Sequence, residues 1–191
     1  GCVSLSVVEL SIQTSQLGAS SFENCTSLES ISLPNTILVL DDSIFKGCTS
    51  LSTVNIPNTV ASIPASIFEN CVSLVDISIP NNIITIEKLA FNDCTNLKQI
   101  SLPRGIKTIE SSAFAGCNNL DIVNLGYLEI DIEGISIDNT SFTENVMFLV
   151  NDENTRSAFN TKFDGIYRAV CQMKISGLLT ASAYVNISNS D

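Results

Sequence analysis

The stretch SIFENCVSL, Ser66 to Leu74, decides the fold. Twenty-three residues earlier the chain reads SIFKGCTSL (43–51); one and two periods later it reads LAFNDCTNL (89–97) and SAFAGCNNL (112–120). Phe22, Phe45, Phe68, Phe91 and Phe114 keep this interval, as do Cys2, Cys25, Cys48, Cys71, Cys94 and Cys117. Pro34, Pro57, Pro80 and Pro103 keep it too, and so do Leu5, Leu28, Leu51, Leu74, Leu97 and Leu120. Self-similarity at a fixed period of this size marks a stack of supersecondary units.

Leu51 to Leu74 serves as one unit. In LSTVNIP, Val54 and Ile56 are two apart and share one face of a short strand, with Thr53 and Asn55 on the other. Pro57 lacks an N–H and closes the strand. In NTVASI, Val60 and Ile63 point inward. In PASIFENC, Ser66 followed by Glu69 reads as a helix N-cap with a capping box. Asn70 suits the left-handed residue that ends a helix, and its column holds Asn24, Gly47, Asp93 and Gly116. Ser20, Ser43 and Ser112 fill the N-cap column, with Leu89 the exception. Each unit is therefore expected to run strand, turn, extended piece and one helical turn. Its few inward side chains do not offset the entropy of ordering it alone, so units must stack, and stacking pairs their strands. The expected architecture is a solenoid of mostly short parallel strands with an irregular C-terminal repeat or cap.

The pattern L-x-x-I-x-L-P, then I-x-x-I, then a-F-x-x-C-x-x-L covers roughly Cys2 to Leu125 and resembles the BspA-like leucine-rich repeats. The resemblance implies a leucine-rich repeat solenoid. It also implies a place among surface or secreted proteins of bacteria and protists that take part in adhesion and host contact.

Three uses compete for the cysteines. Zinc wants thiolates converging on a tetrahedron, usually as close pairs, whereas these form a line. Disulfides between stacked neighbours fit the Cα spacing but not the parallel Cβ vectors. The third use is as small buried hydrophobes between the phenylalanine and leucine columns, with inert thiols. The third is adopted. Cys171 lies outside the column.

The chain has 191 residues, 45% hydrophobic and 15% charged, enough for one sizeable core, and 6% aromatics make that core aliphatic. Its net charge is −11. Residues 1–125 hold eleven acids and five bases and residues 126–191 hold nine and four, so the acidity reads as spread out. Such a field repels nucleic acid and anionic lipid. No apolar run reaches the ~18 residues of a membrane span, so no direct membrane insertion is expected. The absence of histidine removes the usual general base and the commonest zinc ligand. No cofactor is expected.

Residues 1–125 read as the repeat array, with six strand blocks. Because Cys2 has no helical turn before it, further units or a cap are expected upstream. Residues 126–191 read as an irregular terminal repeat and cap: Phe142 lies twenty-eight residues beyond Phe114, not twenty-three. There Leu128, Ile130, Ile132, Ile135 and Ile137 suggest extended chain, VMFLV a short buried strand, and NDENTRSAFNTKF a turn and short helix. ISGLLTASAYVNISNSD is either another strand pair or the start of a linker. Glu129, Asp131 and Glu133 share one side of an extended segment and could offer oxygens to Ca²⁺, although alternation alone favours a solvated strand face.

No constellation for catalysis stands out, and an enzyme hidden in 126–191 would have few convergent polar groups. The outward positions of the first strand in each unit form the candidate protein-binding face: Glu9, Ser30, Ser32, Thr53, Asn55, Asp76, Ser78, Gln99, Ser101 and Asn124, with Val7 and Ile122 in the same rows. Concave repeat surfaces commonly bind. The leading expectation is a non-enzymatic protein-binding module of an adhesion-type protein at the cell surface or secreted, its partner a host or extracellular-matrix protein. The alternative is an intracellular scaffold or spacer without a dedicated ligand. On this reading Asn55→Arg leaves stability nearly unchanged, whereas Ile56→Asp unfolds the array.

Overall fold

The computed structural model describes residues 1–125, 132–143 and 145–171. Glu129, Asp131, Leu128, Ile130 and the segment 175–191 lie outside the described residues.

The chain coils in layers with three sides. On the first side lie β1 (Val7–Val8), β3 (Ser30–Ile31), β5 (Thr53–Val54), β8 (Gln99–Ser101), β10 (Ile122–Asn124), β12 (Met147–Val150) and β13 (Arg168–Cys171). They form two parallel sheets, β1-β3-β5 and β8-β10-β12-β13, with Val7 facing Ser30, Ser30 facing Thr53, and Gln99 facing Ile122. Between the sheets, Ile77 and Ile79 are still buried. On the second side lie β2 (Gln16–Leu17), β4 (Val39–Leu40), β6 (Ser62–Ile63), β7 (Thr85–Ile86), β9 (Thr108–Ile109) and β11 (Ser136–Ile137). These pair as β2-β4 and as β6-β7-β9-β11, all parallel. Val54 and Ile56 are buried, as alternation requires, and Val60 and Ile63 are buried as expected. The result is a leucine-rich repeat solenoid.

The third side differs from expectation. It consists of successive turns, not a helical turn. Ser66 sits at φ +54° and Asn70 at φ +61°, and the equivalent residues in the other units are left-handed as well. An N-cap is extended and precedes right-handed residues, so Ser66 is not one. Nor does Glu69 close a capping box; its carboxylate pairs with Lys46 of the layer above at 2.9 Å. The reason lies in where the amides go. Ser66, Phe68 and Asn70 donate to Lys88, Ala90 and Asn92 in the next layer at 3.0, 2.9 and 2.8 Å. Amides committed sideways cannot bond four residues back, so a helix cannot form. Serine, asparagine and aspartate tolerate φ > 0; Leu89, at φ +59°, takes it at a steric cost of about 1–2 kcal/mol. At Gly116 (φ +73°) a Cβ would come within 2.0 Å of Asp93 Oδ1, so a side chain there would have to displace the Asp93 carboxylate.

Inside, the phenylalanines form a ladder. Ring centroids from Phe22 through Phe45, Phe68, Phe91 and Phe114 lie 5.6, 5.7, 5.3 and 5.0 Å apart, nearly parallel. Phe142 supplies the next rung at 4.8 Å from Phe114 despite its twenty-eight-residue spacing. The ladder then closes: Phe148 and Tyr167 meet Phe142 edge-on, at 83° and 88°. Phe159 of α1 (Glu153–Lys162) packs on Phe148. The expected turn and short helix are there, with Asp152 as N-cap accepting from the Thr155 amide at 2.9 Å. Lys162 caps the preceding loop by donating to the carbonyls of Ile132 and Glu133 at 2.9 and 2.6 Å.

Candidate functional site

The cysteine column is interior packing. Cys25, Cys48, Cys71, Cys94 and Cys117 are buried and free, and each of the last four donates its thiol to a phenylalanine carbonyl of the layer above. Cys48 reaches Phe22 at 3.1 Å, Cys71 reaches Phe45 at 3.2 Å, and Cys94 and Cys117 reach Phe68 and Phe91 at 3.1 Å. The thiol thus adds a second donor to a carbonyl that already accepts a cysteine amide of its own layer, as well as filling space, a role that the sequence does not reveal. Burial pushes the Cys48 thiol up to about 11 and the Cys117 thiol to about 12, and those of Cys71 and Cys94 well above the ordinary value. Groups held neutral in this way are poor nucleophiles and poor metal ligands. Cys2 departs from its column and is exposed, because among the described residues no layer covers it.

Nine of the ten residues of the candidate face are exposed, and Asn124 is half-buried. Their rows are set by the parallel register of the first side, one residue per layer. Asn55 is not a free surface group. Its side-chain amide donates to the Leu33 carbonyl at 2.7 Å, and its Oδ1 accepts from the Leu33 amide at 2.8 Å. It clamps the layer above where the strand ladder has ended. Asn55→Arg is therefore expected to cost stability, where alternation alone predicts no effect. Asn55→Ala should lower unfolding stability by about 1–2 kcal/mol, the scale of two part-buried hydrogen bonds. Ser78→Ala, one layer on in the same row, should stay within about 0.5 kcal/mol. Equal urea midpoints for Asn55→Ala and the parent chain would show that the clamp contributes nothing.

The second side presents different chemistry. Leu38, Val39 and Ile84 are exposed there, and Asp41, Asp42 and Glu87 line a shallow groove beside them. The 23-residue period does not mark this row, since its column also holds Ser15, Ala61 and Lys107. The charge is also less even than the two-halves count suggests. Residues 1–87 hold eight carboxylates and one base, Lys46, whereas residues 88–125 hold three carboxylates and four bases. Of the acidic triplet in the irregular repeat, Glu133 is exposed in a turn. Among the described residues no three His, Cys, Asp or Glu side chains are grouped to hold a metal ion, and no helix is long and apolar enough to cross a membrane.

No curated protein matches the chain significantly. Solved structures do. A leucine-rich cell surface protein from Faecalibacterium prausnitzii superposes with a TM-score of 0.65 at 26% identity, over 69% of this chain and 35% of its own. The chain thus spans about a third of that protein. A leucine-rich repeat protein of T. pallidum gives 0.59 at 26% identity, over 81% of this chain and 80% of its own. The pneumococcal vaccine antigen PcpA gives 0.58 at 20% identity, over 76% and 42%, a likeness of fold alone. The model of the BspA-type leucine-rich repeat region matches residues 15–146 in six copies, the span over which the phenylalanine and cysteine columns are stacked. The chain belongs to the BspA-type leucine-rich repeat family.

Proposed function

We propose that the chain is a non-enzymatic protein-binding module of a surface or secreted adhesion-type protein, and that its partner is a host or extracellular-matrix protein. The face proposed to bind is the outward row set of the first side, from Glu9 through Ser30, Ser32, Thr53, Asp76, Ser78, Gln99 and Ser101 to Asn124, with Asn55 also bracing it. One observation carries this reading: all of these side chains but Asn124 stand exposed, on layers whose paired strands keep parallel register, so a partner would pay little ordering entropy on their account. The likeness to a cell surface protein of F. prausnitzii supports the location. Residues 1–125 serve as the array and residues 126–191 as its irregular terminal repeat and cap, a division supported by the aromatic closure around Phe142.

The test is surface plasmon resonance against immobilised fibronectin, laminin and collagen. The chain should bind at least one, and the double change Ser32→Arg with Ser78→Arg should weaken that binding about tenfold or more, the scale of a disrupted interface centre. Binding to none of the three, or binding indifferent to the double change, would overturn the proposal.

A further inference from the structure

The second side carries a strip that the 23-residue period does not require. Leu38 and Val39 are adjacent in sequence yet both exposed, at 65% and 44%. Ile84 stands in the column of Leu38 two layers on, 43% exposed, with the exposed Ala61 between them, and the Ile84 amide donates to the Ala61 carbonyl at 2.9 Å. The same column holds Ser15 in one flanking layer and Lys107 in the other, so solvent-facing polar residues are accepted there. Beside the strip runs an open groove of about 320 Å³ whose walls include Asp41, Asp42, Pro64 and Glu87. Asp41, Pro64 and Glu87 share a column, and Pro64 leaves an uncharged gap between two carboxylates two layers apart.

We infer that the strip and groove together form a docking surface for a basic, amphipathic segment of another protein. Its large apolar side chains would lie on Leu38, Val39 and Ile84, and a lysine or arginine would sit over Pro64 between Asp41 and Glu87. Charge complementarity selects this occupant. The groove lies in the half of the array with eight carboxylates and a single base, and that base, Lys46, is committed to Glu69. The other described ion pair, Glu153–Arg156, lies in the cap. The exposed Lys88 and Lys107 border the Ile84 end, so the field is negative over the Leu38 end of the strip and over Asp41 and Asp42, which attracts a cationic segment and speeds its approach. A second copy of this chain is the poorer occupant, because a two-fold contact here would set Asp41 and Glu87 against their own images. This surface does not depend on the first side, so it stands or falls separately from the proposed adhesion face.

The test is selection of random linear peptides displayed on phage against the whole immobilised chain, followed by fluorescence anisotropy with the selected peptides in solution. Selected sequences should place Lys or Arg beside large apolar residues, and their binding should weaken as salt rises from about 50 to about 300 mM. Two independent double variants, Leu38→Ser with Ile84→Ser and Asp41→Asn with Glu87→Gln, should each weaken it about tenfold. Both change exposed or half-exposed groups, and far-UV circular dichroism checks that they fold. Ser32→Arg with Ser78→Arg should leave peptide binding unchanged. An empty selection, acidic or purely polar peptides, or affinities that neither double variant moves would overturn the inference. So would a dimer in sedimentation that Leu38→Ser with Ile84→Ser abolishes, since the strip would then be a self-contact.

Discussion

Phe68→Ala is expected to lower the free energy of unfolding by about 3–5 kcal/mol, a large part of the ~5–15 kcal/mol that holds a domain folded. The Phe68 ring is fully buried, between Phe45 at 5.7 Å and Phe91 at 5.3 Å. Truncation removes the transfer free energy of the ring and leaves a cavity that cannot close, because the backbone on both sides is tied to the next layer through Phe45 N–H to Ile67 and Phe68 N–H to Ala90. In a repeat array stability is a sum of unit terms and nearest-neighbour interfaces, so a change in the middle weakens two interfaces. Phe22→Ala is the comparison. Phe22 is half-buried and stacks on Phe45 alone among the described residues, so its loss should be less than half as large. Urea unfolding followed by circular dichroism reads both. Equal losses at the two positions would mean that stability does not reside in the ladder. A fall in the urea slope for Phe68→Ala would show the array parting into halves that unfold separately.

How much of this was legible in the sequence depended on whether a residue's role repeats. The inward pair Val54 and Ile56 was legible from alternation, because a strand's side-chain period is two and burial follows it, while Val60 and Ile63 stand in apolar columns that repeat along the chain. The phenylalanine ladder was legible from spacing up to Phe114, but not at Phe142. The rung stays in place although its spacing is twenty-eight and not twenty-three, which a fixed period cannot anticipate. The third side was misread because Ser66 and Glu69 match a capping box in composition, while amides directed to the next layer outweigh local helix preference. The exposure of the candidate face followed from alternation too. The Asn55 clamp on Leu33 did not, since it occurs where a strand ends and depends on which layer lies above. The strip at Leu38, Val39 and Ile84 breaks the pattern of its own column, so it emerges only once exposure is known.

Raising the pH above 9 should unfold the array over a narrow range. An unfolded thiol titrates near 8.5–9. In the folded chain, burial raises Cys48 to about 11, Cys117 to about 12, and Cys71 and Cys94 well above the ordinary value. Between the unfolded and folded values the native state keeps protons that the unfolded chain has lost. The unfolded state then binds fewer protons, so stability falls as pH rises. The contribution is fully present below about pH 8 and drains away through the window above 9. Each thiol costs about 1.4 kcal/mol per pH unit there, and four acting together cost about 5–6 kcal/mol per unit, enough to exhaust the stability of an ordinary domain by about pH 10–11. Cys71→Ser tests the attribution, since the hydroxyl can still donate to the Phe45 carbonyl, where the thiol lies at 3.2 Å, but does not titrate. Its stability at pH 7.5 should be lower by about 1–2 kcal/mol, while its slope above pH 9 should be about a quarter shallower, because one of four protons no longer takes part. Urea midpoints at half-unit steps from pH 7.5 to 11 measure both. A flat profile for the parent chain would remove the buried thiols from the account of stability. An unchanged slope in Cys71→Ser would assign the alkaline loss to other groups, because removing one of four titrating thiols must remove its share of the proton difference between the two states.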